Sequence, residues 1–228
     1  MVVGGLQKFS LADFPGLISA IVFTRGCGFR CPYCHNPELV DPARYAREIP
    51  REEVEDFLRS RRGKLQGVVV TGGEPTLHED LPTFLGSLKD MGYSVKLDTN
   101  GMYPRTLRYV IAEGLVDYVA MDIKAPPARY EKTVGVPVKA DDILESIELV
   151  RGSSLPREFR TTWVPALLSG ADVREIAALV KGCDYFLQSF RTGKVLDSSL
   201  EDRPHRDDST LTGIVETAAA AGLRITIR

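Results

Sequence analysis

The stretch Gly67-Val68-Val69-Val70-Thr71-Gly72-Gly73-Glu74-Pro75 decides the fold. A short β-branched run ends in two glycines and a proline, and apolar residues then recur at helical spacing, at Leu81, Phe84, Leu85 and Leu88. That is one strand followed by one covering helix. The unit recurs outward in both directions. Strand-like runs fall at 17–24, 67–71, 94–98, 116–122, 159–164 and 185–190, with helical patterns between and after them. Those patterns centre on Val54 and Leu58, Leu107 and Val110, Ile143 and Ile147, Val173 and Ile176, and Leu211 and Ile214. Gly63, Gly92, Gly114, Gly152, Gly182 and Gly222 follow them as expected helix terminators. Six alternations imply parallel strands joined by right-handed crossovers, in an α/β fold. An open doubly wound sheet and a barrel-like (β/α) layer both satisfy the pattern. The run 223–227 reads as a further edge strand. No linker, low-complexity tract or repeat divides the chain, so one domain over 1–228 is expected.

Composition narrows the function. The 228 residues are 43% hydrophobic and 26% charged, close to globular averages. Lys+Arg 29 against Asp+Glu 31 leaves a net charge of -2, which disfavours a nucleic-acid coat, a polybasic membrane binder and a disordered acidic chain. No apolar run reaches the roughly 20 residues of a membrane helix, and the N-terminus lacks the features of a signal peptide. A cytoplasmic, reducing compartment is the expectation, with neither nucleic acid nor membrane as partner.

In either architecture, ligands bind at the carboxyl ends of the strands. There the chain places Cys27-Gly28-Phe29-Arg30-Cys31-Pro32-Tyr33-Cys34, in the loop 25–37 after the first run. Three thiols this close in a reducing compartment suggest a metal centre rather than disulfides. The spacing C-x3-C-x2-C is not the usual pair of zinc knuckles, and Cys34 and His35, being adjacent, diverge. Cys183 precedes a strand at the far end and reads as a small buried hydrophobe. A cubane iron–sulfur cluster held by Cys27, Cys31 and Cys34 would leave one iron free of protein ligands. Zinc and unliganded redox thiols are the lesser readings.

These cysteines, with the aromatic Tyr33 before the last of them, and Gly72-Gly73-Glu74-Pro75 resemble the radical S-adenosylmethionine superfamily. The resemblance covers essentially the whole chain and implies a partial (β/α)6 barrel of TIM type. It also implies a 4Fe-4S cluster whose open iron binds S-adenosylmethionine and, once reduced, cleaves it to a 5′-deoxyadenosyl radical that abstracts hydrogen. By resemblance, Gly72, Gly73 and Glu74 receive the methionine amino group and Tyr33 flanks the adenine.

Further motifs are similar to those of the glycyl-radical enzyme activases: Phe14-Pro15-Gly16, His35-Asn36-Pro37, Leu97-Asp98-Thr99-Asn100-Gly101, Met121-Asp122-Ile123-Lys124 and the strand holding Arg160. The resemblance implies that Asp98, Asn100, Asp122, Lys124, Arg160 and Gln188 serve the cofactor. It also implies a monovalent cation beside Asp98 and Asp122. The opening Leu11-Ala12-Asp13-Phe14-Pro15-Gly16 reads like the branch that acts on anaerobic ribonucleotide reductase, so that reductase is the expected partner and a flavodoxin or ferredoxin the expected electron donor. Two departures stand out: Gln188 occupies the strand end where activases of pyruvate formate-lyase carry His, and the ferredoxin-like cysteine insert of some activases is absent. A small-molecule radical enzyme acting in cofactor, nucleoside or lipid biosynthesis, and a non-catalytic iron–sulfur carrier or redox sensor, are the competing functions. His78 is expected as a solvated cap, and Arg203, Pro204, His205 and Arg206 as a surface loop near the mouth.

Overall fold

A computed structural model describes residues 1–191, 193–201 and 208–228. Its strands are β1 (Val3–Ser10), β2 (Ser19–Thr24), β3 (Gly67–Gly72), β4 (Ser94–Thr99), β5 (Tyr118–Asp122), β6 (Arg157–Trp163), β7 (Tyr185–Ser189) and β8 (Thr226–Ile227). The helices are α1 (Pro37–Val40), α2 (Arg51–Ser60), α3 (Leu81–Asp90), α4 (Pro104–Ala112), α5 (Tyr130–Val134), α6 (Ala140–Gly152), α7 (Gly170–Leu179) and α8 (Asp208–Ala220). All eight strands join one sheet in sequence order. From β2 to β8 every pairing is parallel, and β1 alone runs antiparallel, against β2.

Sequential order settles the choice that periodicity left open. Right-handed crossovers that always advance in one direction put every helix on the same face of the sheet, as in a barrel and unlike a doubly wound sheet. Burial agrees. Ala20, Val22, Val68, Val70, Val95, Leu97, Val119 and Met121 share one core cluster with the apolar stripes of the helices. Their neighbours along the strands face inward, where Phe14, Ile21 and Val69 form a separate small cluster packed by Leu17, Phe23 and Tyr118. The barrel stays partial because β1 and β8 are both edges.

The short run 223–227 yields only the two-residue β8. Five expected terminator glycines follow their helices with positive φ, whereas Gly152 is the last residue of α6 and Ser153 forms its C-cap. The strand β1 escapes a periodicity search because Gly4 and Gly5 interrupt it and half of it is solvent-facing. Among the described residues no helix is long and apolar enough to cross a membrane. Arg203, Pro204, His205 and Arg206 lie outside the described residues.

Candidate active site

The loop after β2 carries the three cysteines across the top of the barrel. Its backbone is pinned from several sides: Arg30 N donates to the Val134 carbonyl at 2.8 Å, Asp197 N to that of Pro32 at 2.9 Å, and Leu196 N to that of Cys34 at 3.1 Å. The Gly-Gly turn after β3 braces it from below. Glu74 N donates to the Gly26 carbonyl at 2.8 Å, and a Cβ at residue 73 would stand 2.0 Å from that same oxygen. Only glycine fits at Gly73, and the φ of +118° at Gly72 likewise favours glycine.

All three thiols are free. Burial pushes the Cys27 thiol up to about 12 and that of Cys31 up to about 11, and Cys34 moves in the same direction. Thiols so desolvated are poor nucleophiles at neutral pH; they become thiolates when a metal supplies the compensating charge. Among the described residues, no group of three His, Cys, Asp or Glu is arranged to hold a single metal ion. A cubane makes no such demand, since it spreads three thiolates over three irons. Asn100 Nδ2 and Phe29 N point at Cys27 Sγ, at 3.5 and 3.4 Å.

Below the cysteines lies an open cleft of about 200 Å³. Cys27, Cys31, Cys34, Tyr33, Gly72, Gly73, Glu74, Asp98, Asn100, Asp122 and Lys124 all line it. The folded chain thus brings eleven of the thirteen expected site residues, scattered over about a hundred positions, to one place. Tyr33 is 4% exposed and meets the Phe190 ring edge-on, while its buried hydroxyl has no partner among the described residues. A lone buried hydroxyl in a cleft wall suits a polar ligand.

Glu74 is turned inward, 1% exposed. Its carboxylate accepts from Thr76 N at 3.0 Å, Thr99 Oγ1 at 2.7 Å and Asn100 N at 2.7 Å, and also from the Thr76 hydroxyl. It therefore ties the end of β3 to the end of β4. Burial raises its pKa against the pull of those donors.

The cleft floor is an ion-pair network. Lys96 Nζ meets Asp98 Oδ1 at 2.6 Å. Arg160 reaches Asp98 Oδ2 at 3.2 Å and Asp122 Oδ1 at 2.8 Å, and Lys124 Nζ lies 3.2 Å from Asp122 Oδ2. Burial alone would raise the Asp122 carboxyl, but the charges of Arg160 and Lys124 overcome it and hold the group well below the ordinary range. Burial works against Arg160 and Lys124 too, and the acidic groups around each, Asp122 foremost, together outweigh it. Lys96 escaped the sequence reading, although a lysine inside a strand-like run was its visible signal.

Arg160 and Gln188 line a second cleft, which shares His35, Asn36 and Thr162 with the first and opens at the gap between the sheet edges. Gln188 lies across from Thr162 in the β6–β7 register and does not reach the first cleft. His35 is held over Phe190 with Nε2 3.0 Å from the Arg191 carbonyl. His78 differs from expectation: its Nε2 is buried without a partner among the described residues. Cys183 is half-buried at the opposite end, packed against the core edge.

Fold and site together define a partial-barrel α/β protein with three thiols converging above a polar cleft. The chain belongs to the radical SAM superfamily, which residues 21–181 match. The family brings a 4Fe-4S cluster and S-adenosylmethionine, and the three converging soft donors and the polar cleft beneath them fit both groups. The chain is 34% identical over 220 residues to a protein of Methanocaldococcus jannaschii named as a candidate glycyl-radical enzyme activating enzyme, covering 92% of this chain and 88% of that one. It is 32% identical over 198 residues to the pyruvate formate-lyase-activating enzyme of Clostridium pasteurianum, covering 79% and 78%. A shorter match, 36% over 86 residues (38% and 37%), joins it to the 7-carboxy-7-deazaguanine synthase of Aquifex aeolicus. Among solved structures, Streptococcus suis SuiB bound to its precursor peptide SuiA aligns with a TM-score of 0.70 at 14% identity, over 91% of this chain. The chain spans about half (48%) of the length of SuiB, and the likeness is one of fold.

Proposed function

We propose that this enzyme is a glycyl-radical enzyme activase, abstracting hydrogen from a backbone glycine of an anaerobic ribonucleotide reductase. The observation that carries the reading is the near-full-length similarity to an activating-enzyme relative. The open side of the barrel supports it. The second cleft is lined on one side by Ala12, Asp13 and Pro15, and Phe9 and Leu11, 56% and 69% exposed, immediately precede that segment in the chain. An apolar lip of this kind suits a polypeptide substrate.

When bound, the reduced cluster with S-adenosylmethionine supplies the 5′-deoxyadenosyl radical that performs the abstraction. The chain's own residues hold and shield. Cys27, Cys31 and Cys34 would hold the cluster. The carbonyl edge at Gly72 and Gly73 receives the methionine amino group, shaped by Glu74 from behind. Lys124 and Arg160, with Asp98 and Asp122 between them, receive the carboxylate and ribose. Lys96, Lys124 and Arg160 answer Asp98 and Asp122, and Arg160 also lies 3.6 Å from the buried Glu158. Tyr33 and Asn100 border the nucleoside side, and Gln188 faces the substrate cleft. A flavodoxin or ferredoxin supplies the electron.

The test is anaerobic. The reconstituted protein is given dithionite, S-adenosylmethionine and the candidate reductase. We expect 5′-deoxyadenosine together with a glycyl radical signal on the reductase. A second reading, a radical enzyme acting on a small molecule, draws on the deazaguanine synthase relative and on the charged wall of the second cleft, with Glu158, Lys96 and Arg228. Production of 5′-deoxyadenosine without a glycyl radical on any candidate partner would select it.

A further inference from the structure

A monovalent cation beside Asp98 and Asp122 is implied by the resemblance to activases, and the geometry of this chain disagrees. Such an ion is held by carboxylate and carbonyl oxygens. All four carboxylate oxygens of the pair already face a cationic side chain. Asp98 Oδ1 takes Lys96 Nζ at 2.6 Å, and Asp98 Oδ2 takes Arg160 at 3.2 Å. Asp122 Oδ1 takes Arg160 Nε at 2.8 Å, and Asp122 Oδ2 takes Lys124 Nζ at 3.2 Å. All three cations border a cleft, Lys124 the first, and Arg160 and Lys96 the second. Lys96 is the most enclosed of them.

Lys96 sits two residues before Asp98 on the inward face of β4, so its stem lies along the strand and its ammonium comes up beneath the carboxylate. Its side chain is only 2% exposed, and the ammonium lies 5.7 Å from the centre of the Tyr118 ring. Burying a lysine is costly unless its charge is used. We propose that the Lys96 ammonium is a built-in replacement for the exchangeable cation: a compact point charge, tethered to β4, that fixes Asp98. Lys96 is a positioning residue acting through Asp98. The inference rests on S-adenosylmethionine binding in the first cleft and not on the identity of the substrate.

The experiment measures the Kd of S-adenosylmethionine for the anaerobically reconstituted holoprotein, without any partner enzyme, in potassium, sodium and choline chloride at equal ionic strength. For the native chain the three values should agree within about twofold, because choline is too bulky to serve as an inner ligand and none is needed. Lys96→Met keeps the stem and removes the charge. That variant should bind roughly tenfold more weakly in choline and recover most of the loss in potassium or sodium, as a small ion enters the position vacated by the ammonium. A native protein that requires potassium or sodium overturns the proposal. So does a Lys96→Met protein that binds equally well in all three salts. If the variant loses its cluster, the native series alone decides. Failure of the activase reading, seen as a missing glycyl radical, leaves these binding constants unaffected.

Discussion

Cys27, Cys31 and Cys34 come from one loop, and nothing distant is needed to bring them together. Replacing any one of them with alanine should take iron from about four atoms per chain to nearly none, measured after anaerobic reconstitution. Cys183→Ala should retain the full complement, because Cys183 lies half-buried at the other end of the barrel. Four irons retained in any of the first three variants would end the cluster assignment. Other roles were less open to sequence reading. Glu74 belongs to the motif that suggested a cofactor edge, yet its oxygens are spent on Thr76, Thr99 and Asn100, two of which lie 25 and 26 residues away. Lys96 was passed over because its meaning comes from Arg160 and Tyr118 on other strands.

At the scale of elements, strand ends do the chemical placement. In a parallel sheet each carboxyl end opens on the same side, so a polar residue closing a strand arrives beside its neighbours'. Asp98 and Asp122 arrive in this way from β4 and β5, and Arg160, midway along β6 and paired in register with Asp122, reaches both. The pairing has a pH signature. Asp122 is held below its unfolded value by Arg160 and Lys124, against the cost of burial. The unfolded chain then binds this proton first as pH falls, so the contribution to stability is present above about pH 4 and is lost progressively below it. Urea unfolding of Asp122→Asn should show a flatter decline than the native chain between about pH 4 and pH 3. Identical slopes would mean that the network does not hold Asp122 ionised. Helices were readable because each buries one apolar stripe against the sheet, whereas β1 was not: its glycines and its exposed edge hide the alternation.

For the whole molecule, the consequential feature is the gap between β1 and β8. Among the described residues the second cleft lies on that side, lined by Ala12, Asp13 and Pro15, which follow the exposed Phe9 and Leu11 in the chain. If a polypeptide loop enters there, Leu11→Glu should lower the yield of glycyl radical per 5′-deoxyadenosine by about tenfold, since a charge is placed on an apolar lip that a partner must cover. An unchanged ratio would move the docking surface elsewhere or favour a small substrate. Local pattern was enough to establish the strand–helix alternation, the metal-binding loop and the Gly-Gly turn, because each depends on neighbours within a few residues. Tertiary structure decided between a doubly wound sheet and a partial barrel, since strand order is a long-range property that periodicity does not encode. It decided too which carboxylates are free and which are already answered by Lys96, Arg160 and Lys124, since that depends on the register of three parallel strands.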